Sequence, residues 1–558
     1  MSDKPLIVQG DLTLLLETEG EGYLAARDAI APFTELVKSP EYVHTYRISH
    51  LSLWNAAATG RTADEVLSAL DAHSRFPVPQ NVVREVTQYM ERYGTLQLVR
   101  EGDELFLIAK EPLALVEARH VKAAQPWMLD LVAPDRCRVD GRFRGHLKLA
   151  LTLAGLPVED LAGYTVGDPL SFTMRDTTVS GKPFHLRDYQ REAGEIFHAA
   201  GSVKGGCGTV VLPCGAGKTV VAIGAMALAQ CHTLILTTNV VAVRQWIREI
   251  IDKTTLTADQ VGEYTGETKD IKPVTLATYQ ILTYRQRKDA DFPHFGLFAA
   301  RNWGLIVYDE VHLLPAPVFR VSAEVQATRR LGLTATLVRE DGKEGDVFAL
   351  IGPKRYDVPW KTLEAQGWIA TATCTEIRLP QPLSRYVEYA SSTDRERVRI
   401  ASENPAKKAV VEELIDRHKG ESILVIGQYI SQLEELAGEL DLPLITGQTP
   451  QRERERLYKE FREGRIPALI VSKVGNFAID LPEASVMVQI SGTFGSRQEE
   501  AQRLGRILRP KEDGRQAHFY SLVTRDTREQ EFSLHRQLFL IEQGYQYKVE
   551  VREIGAGA

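Results

Sequence analysis

The segment Leu212–Thr219, LPCGAGKT, constrains the fold of this chain most. It follows the apolar run Thr209–Leu212, which reads as a buried strand, and precedes the helical run Val220–Ala229. A glycine-rich turn from strand to helix aims backbone N–H groups and the positive end of a helix at one point, which makes a phosphate cradle. Pro213, Cys214, Gly215, Ala216 and Gly217 form the turn, Lys218 is placed to reach a terminal phosphate, and Thr219 to hold Mg²⁺. The full pattern begins with glycine where this chain has Leu212. The bland alternative is a glycine-rich turn carrying an exposed lysine.

Around this segment the chain alternates strands and helices. Runs at Thr233–Leu236, Val274–Ala277 and Leu305–Tyr308 are rich in Val, Ile, Leu and Thr, as buried parallel strands are. A later block repeats the pattern at Ile423–Ile426, Leu469–Val471 and Val486–Ile490. The expectation is an α/β fold of two tandem RecA-like parallel-sheet domains, at 179–360 and 361–558. Two accessory domains precede them. Residues 1–110 carry helices, one starting at the capping-box pair Thr62 and Glu65, then a hairpin at Thr95–Ala109, and read as mixed α+β and winged-helix-like. Residues 111–178 are locally basic through Arg136, Arg138, Arg142, Arg144 and Lys148. That is either a phosphate-contacting face or a solvated charged one.

Composition narrows the class. Hydrophobic residues make up 44% and charged residues 25%, as in soluble globular proteins, and the net charge of −7 argues against a wrapping nucleic-acid binder. A motor that grips a few phosphates and releases them is compatible with it. The five cysteines form no CxxC pair, so no zinc or iron–sulfur site is expected. No apolar stretch spans a membrane and the N-terminus lacks a signal pattern, so the expectation is a cytoplasmic chain with no membrane partner.

Chemistry should concentrate where strands end. VYDEVH (Val307–His312) closes a strand about 90 residues beyond the phosphate turn. Asp309 is expected to hold Mg²⁺, Glu310 to deprotonate the attacking water, and His312 to sense the γ-phosphate. LGLTAT (Leu331–Thr336) ends another strand with the hydroxyls of Thr334 and Thr336, suited to switching hydrogen bonds. QRLGRILRP (Gln502–Pro510) sets Arg506 and Arg509 on one helical face, as a basic surface or as arginine fingers.

The ordered set LRDYQ (Leu186–Gln190), GAGKT, TTN (Thr237–Asn239), DEVH, LTATLVRED (Leu333–Asp341), SKVGNFAIDLPEA (Ser472–Ala484) and QEEAQRLGRILRP resembles the superfamily 2 helicases over roughly 180–525. It is similar to the XPB-type branch and its bacterial members, which carry an Arg-Glu-Asp element, here Arg339, Glu340 and Asp341. The resemblance implies an ATP- and Mg²⁺-dependent 3′–5′ DNA helicase acting in strand opening. Gln190 would read the adenine, Arg187 would belong to the ATP site, and Asp480 and Gln502 would lie near the nucleotide. Thr238, Asn239, Thr278, Ser472 and Lys473 would touch the nucleic-acid backbone. A short helical thumb is expected near 380–405, and 111–178 would correspond to the family's damage-recognition domain. DNA, single-stranded or forked, is the implied partner, with a nuclease or other repair protein as a further one. The alternatives are a double-strand translocase and a partner-regulated ATPase scaffold.

Overall fold

Short uncharged runs of Val, Ile, Leu and Thr become the interior strands of two parallel sheets. A computed structural model of the chain describes residues 4–19, 22–38, 42–213, 215–287, 292–326, 328–335, 344–358, 360–472, 484–492, 516–542, 545 and 547–553. They divide into two compact units. One comprises Met1–Glu35, Tyr42–Leu212 and Gly217–Asp357; the other comprises Val358–Ala558 with the segments Leu36–Glu41 and Pro213–Ala216.

The first unit holds a seven-stranded sheet in the order Val261–Tyr264, Val274–Thr278, Thr233–Thr237, Leu305–Asp309, Arg329–Thr334, Cys207–Val211 and Lys354–Asp357. All its pairings are parallel. The interior strands are buried on both faces, which explains their lack of polar alternation. The strand that runs into the phosphate turn and the strand that carries the acids flank one common neighbour, Arg329–Thr334.

Two mixed regions precede this sheet. Leu6–Val8, Thr13–Glu17 and Val43–Arg47 pair antiparallel. The helix Ala63–His73 begins at the expected reciprocal cap of Thr62 and Glu65. The expected hairpin forms from Leu96–Glu101 and Glu104–Ala109. It sits inside a five-stranded sheet with Arg136–Val139 and Met128–Ala133 on one side and Val158–Asp160 on the other. A continuous sheet therefore runs across position 110.

The basic stretch is matched by acidic partners. Arg136 pairs with Glu101, Arg138 with Glu104 and Asp130, Arg142 with Asp140, and Arg144 and Lys148 with Asp160. Arg144 is 1% exposed and Lys148 4%, so these two belong to the interior.

The second unit repeats the parallel design in the order Leu444–Ile445, Ala468–Ser472, Ile423–Gly427, Val486–Gln489, Ala517–Thr524, Ala372–Leu379 and Tyr547–Val551. Both sheets are RecA-like. Two short helices, Leu383–Ser391 and Asp394–Ser402, occupy the segment expected to form a thumb. Among the described residues no helix is long and apolar enough to cross a membrane.

Candidate nucleotide site of the first sheet

The phosphate turn is shaped by backbone that only glycine adopts without strain. Gly215 has φ of 84° and Gly217 of 78°. A Cβ on Gly217 would also stand 2.7 Å from Gln190 Nε2, so the turn is closed to larger residues. The helix Lys218–Ala229 starts on Gly217 with no side-chain cap, which aims its N-terminal end at the turn. Leu212, in place of the usual leading glycine, is fully buried, and its N–H donates to the Thr334 carbonyl at 3.0 Å. The position is core, and a leucine suits it.

Across the intervening strand Arg329–Thr334, Lys218 Nζ lies 3.6 Å from Glu310 Oε1. Glu310 is left-handed, with φ of 49° and ψ of 55°. That backbone is uncommon for a residue other than glycine and turns the acid away from the strand direction. Glu310 Oε2 is buried with no hydrogen-bond partner among the described residues. Burial first, and then the charge of Glu310, push the Asp309 carboxyl up to about 6. Trp246 Nε1 donates to Asp309 Oδ2 at 2.9 Å, and Tyr279 Oη donates to the Asp309 carbonyl at 2.8 Å. His312 Nδ1 lies 2.7 Å from Thr334 Oγ1 and 3.5 Å from Glu310 Oε2. A chain of polar contacts thus runs from Lys218 through Glu310 and His312 to Thr334.

Other expected residues fall nearby. The Arg187 backbone N–H donates to Gln190 Oε1 at 3.1 Å, which fixes the side chain that faces Gly217. Thr237 and Thr278 are register partners, so Thr238, Asn239 and Thr278 lie together at the carboxyl ends of two adjacent strands. Asn239 and Thr278 each cap a helix, accepting from the N–H groups of Ala242 and Ile281 at 2.9 Å and 3.2 Å. In the second unit Ser472 ends its strand with a buried hydroxyl that has no hydrogen-bond partner among the described residues. Cys214, Thr336, Arg339, Glu340, Asp341, Lys473, Asp480, Gln502, Arg506 and Arg509 lie outside the described residues.

Sequence reasoning missed Trp246 and Tyr279. Val243, Trp246 and Ile250 form the buried stripe of the helix Val240–Lys253, so Trp246 reads as ordinary core. Only the fold shows the indole N–H meeting a carboxylate.

This chain is 52% identical over 550 residues to "DNA 3'-5' helicase XPB" of Kineococcus radiotolerans, covering 98% of this chain and 97% of that one. It is 53% identical over 548 residues to the protein of the same name from Mycobacterium tuberculosis, covering 98% of each chain. This chain belongs to the XPB helicase family. Residues 363–556 of this XPB-family chain match the ERCC3/RAD25/XPB C-terminal helicase family. Residues 183–339 match the res subunit of type III restriction enzymes, and residues 6–133 a helicase conserved C-terminal domain. The Saccharomyces cerevisiae "General transcription and DNA repair factor IIH helicase/translocase subunit XPB/SSL2" is 31% identical over 610 residues, covering 98% of this chain and 72% of that one. As a family member, the chain is an ATP-dependent DNA helicase of superfamily 2.

Proposed function

We propose that this protein couples ATP hydrolysis to 3′–5′ movement on DNA and to strand opening in repair, in the cytoplasm. The observation that carries the reading is the Lys218–Glu310 contact between two strand ends at the same edge of one parallel sheet, in a chain this close to named DNA 3'-5' helicases.

The residues fit a magnesium nucleotide. A left-handed glycine turn and an uncapped helix start suit phosphate oxygens, and the orphaned Glu310 Oε2 suits a water. ATP and Mg²⁺, when bound, supply the scissile phosphoryl group and the neutralisation of its charge. Thr219 and Asp309 are the proposed Mg²⁺ holders, and Pro213 to Lys218 the phosphate cradle. Gln190 and Arg187 recognise the base. Glu310 orients and deprotonates the attacking water. Trp246 holds Asp309 in place from behind.

Thr334 is the proposed coupling residue. It ends the strand shared by the phosphate turn and the acids, and its hydroxyl meets His312. Arg506 and Arg509 are proposed as arginine fingers and Arg339–Asp341 as the strand-separating element, from their places in the motifs. A nuclease is the proposed protein partner.

Strand displacement on DNA duplexes with a 3′ or a 5′ tail, and on RNA duplexes, tests the reading when ATPase is measured alongside. ATP-dependent displacement confined to 3′-tailed DNA is expected. DNA-stimulated ATPase without displacement would reassign the chain as a translocase, and ATPase indifferent to nucleic acid would reject the motor.

A further inference from the structure

The strands of the first sheet begin beside a cavity of about 270 Å³, at the sheet edge opposite Lys218 and Asp309. Cys207, Lys148 and Arg355 line it. Cys207 is 4% exposed, and in the parallel ladder it is the register partner of Arg330, so the two side chains leave the same face. Arg330 is wholly buried. Its Nε donates to the Leu350 carbonyl at 2.8 Å, and its Nη1 to the carbonyls of Gln326 and Thr328 at 2.7 Å and 2.5 Å. Its Nη2 has no hydrogen-bond partner among the described residues. Neither does the buried hydroxyl of Tyr164, whose ring centre lies 5.7 Å from the Arg330 guanidinium carbon. Arg355 Nε donates to the Cys207 carbonyl at 3.0 Å.

Two buried donors without acceptors are costly, and Arg330, which carries one of them, shares its face of the sheet with Cys207, a side chain able to become an anion. Burial opposes ionisation of the Cys207 thiol. Arg355, Arg330 and Lys148 outweigh burial and the opposing charge of Asp160, so the thiol ionises below its ordinary range. Arg144, Tyr164 and Tyr93 also face it.

We propose that Cys207 is a modification site, a guanidinium-held thiolate that a hydroperoxide entering the cavity oxidises to a sulfenic acid. The thiolate sulfur attacks one peroxide oxygen; the S–O bond forms as the O–O bond breaks. The departing hydroxide takes up the proton that the thiol released on ionising and leaves as water. Sulfur loses two electrons and the peroxide gains them.

The backbone here has no slack. A Cβ on Gly352 would stand 2.8 Å from the Cys207 carbonyl carbon, and one on Gly208 would stand 2.3 Å from Arg355 Cγ. An added oxygen on Sγ enters the cavity beside Arg355 and Lys148 and disturbs the Arg355 bond that holds the start of Cys207–Val211, the strand that leads into the phosphate turn. Oxidation therefore slows ATP turnover.

The test treats the full-length chain with hydrogen peroxide, traps sulfenic acid with dimedone and maps the label by peptide mass. Cys207 is expected to carry it, and Cys137, Cys231 and Cys374 to stay bare. Cys207→Ser keeps its ATPase activity through a peroxide treatment that abolishes most of the parent's. Iodoacetamide alkylation of Cys207 speeds up less between pH ~6.5 and ~8.5 than the roughly fiftyfold expected of an unperturbed thiol. Arg355→Met slows that alkylation at neutral pH by about tenfold. Label on Cys214 alone, an unlabelled Cys207, or a steep pH dependence of its alkylation would overturn the proposal.

Discussion

Replacing Trp246 by Phe asks whether an indole outside every expected motif positions the acid pair. Trp246 is 2% exposed, and its Nε1 donates to Asp309 Oδ2 at 2.9 Å. Phenylalanine keeps most of the ring packing and removes the N–H. A hydrogen bond to a charged acceptor contributes about 1.5–3 kcal/mol. If all of it is expressed in the hydrolytic step, at about 1.4 kcal/mol per decade, kcat falls by about 10- to 150-fold. The turn at Gly215–Gly217 and Lys218 are untouched, so KM for ATP stays close to that of the parent. Phosphate release is measured against ATP concentration with saturating DNA, well below the melting temperature followed by circular dichroism. A kcat within about twofold of the parent, in a variant with unchanged melting, would refute a positioning role. So would an equal loss in KM and kcat, since the nucleotide grip would then be what the indole supports.

Three further outcomes follow from the same geometry. Glu310→Gln should retain nucleotide binding, read by fluorescent-nucleotide titration, while turnover falls by at least about 100-fold, the scale of a general base. Gly217→Ala should lose nucleotide affinity, because the left-handed backbone and the 2.7 Å approach of Gln190 Nε2 both oppose a Cβ; an unchanged Kd would contradict that crowding. Asp160→Asn should cost about 3–5 kcal/mol in denaturant unfolding by stranding Arg144 and Lys148 without their counter-ion. The two cations hold the Asp160 carboxyl well below the usual carboxylate range against the effect of burial. Its contribution is therefore full above pH ~4 and fades as pH falls further, so the gap between parent and variant should narrow only in acid. A gap that persists unchanged at low pH would point to packing as its cause.

The interior of both sheets was legible because uncharged strands have few other fates. Strand ends were legible too, since Lys218, Asp309, Glu310 and Thr334 stand where runs of apolar residues stop. The flanking strands were not. Ala372–Leu379 contains Glu376, which breaks the apolar run yet is fully buried, accepting hydrogen bonds from Ser533, Gln537 and Arg378. Lys354–Asp357 is short, half-exposed and polar. The order of strands cannot be read from a linear chain, and that order alone places Thr334 between the phosphate turn and the acids. Trp246 and Cys207 share the same obscurity, for each looks like core until its neighbours in space are known.

The pairing of all five cations between Arg136 and Lys148 has a consequence for how the protein meets DNA. Arginines already matched by carboxylates release fewer counterions when a duplex approaches than unpaired ones do. The stretch that carries them is thus largely compensated in charge. The steepness with which affinity falls as salt is added is then set chiefly by other surfaces.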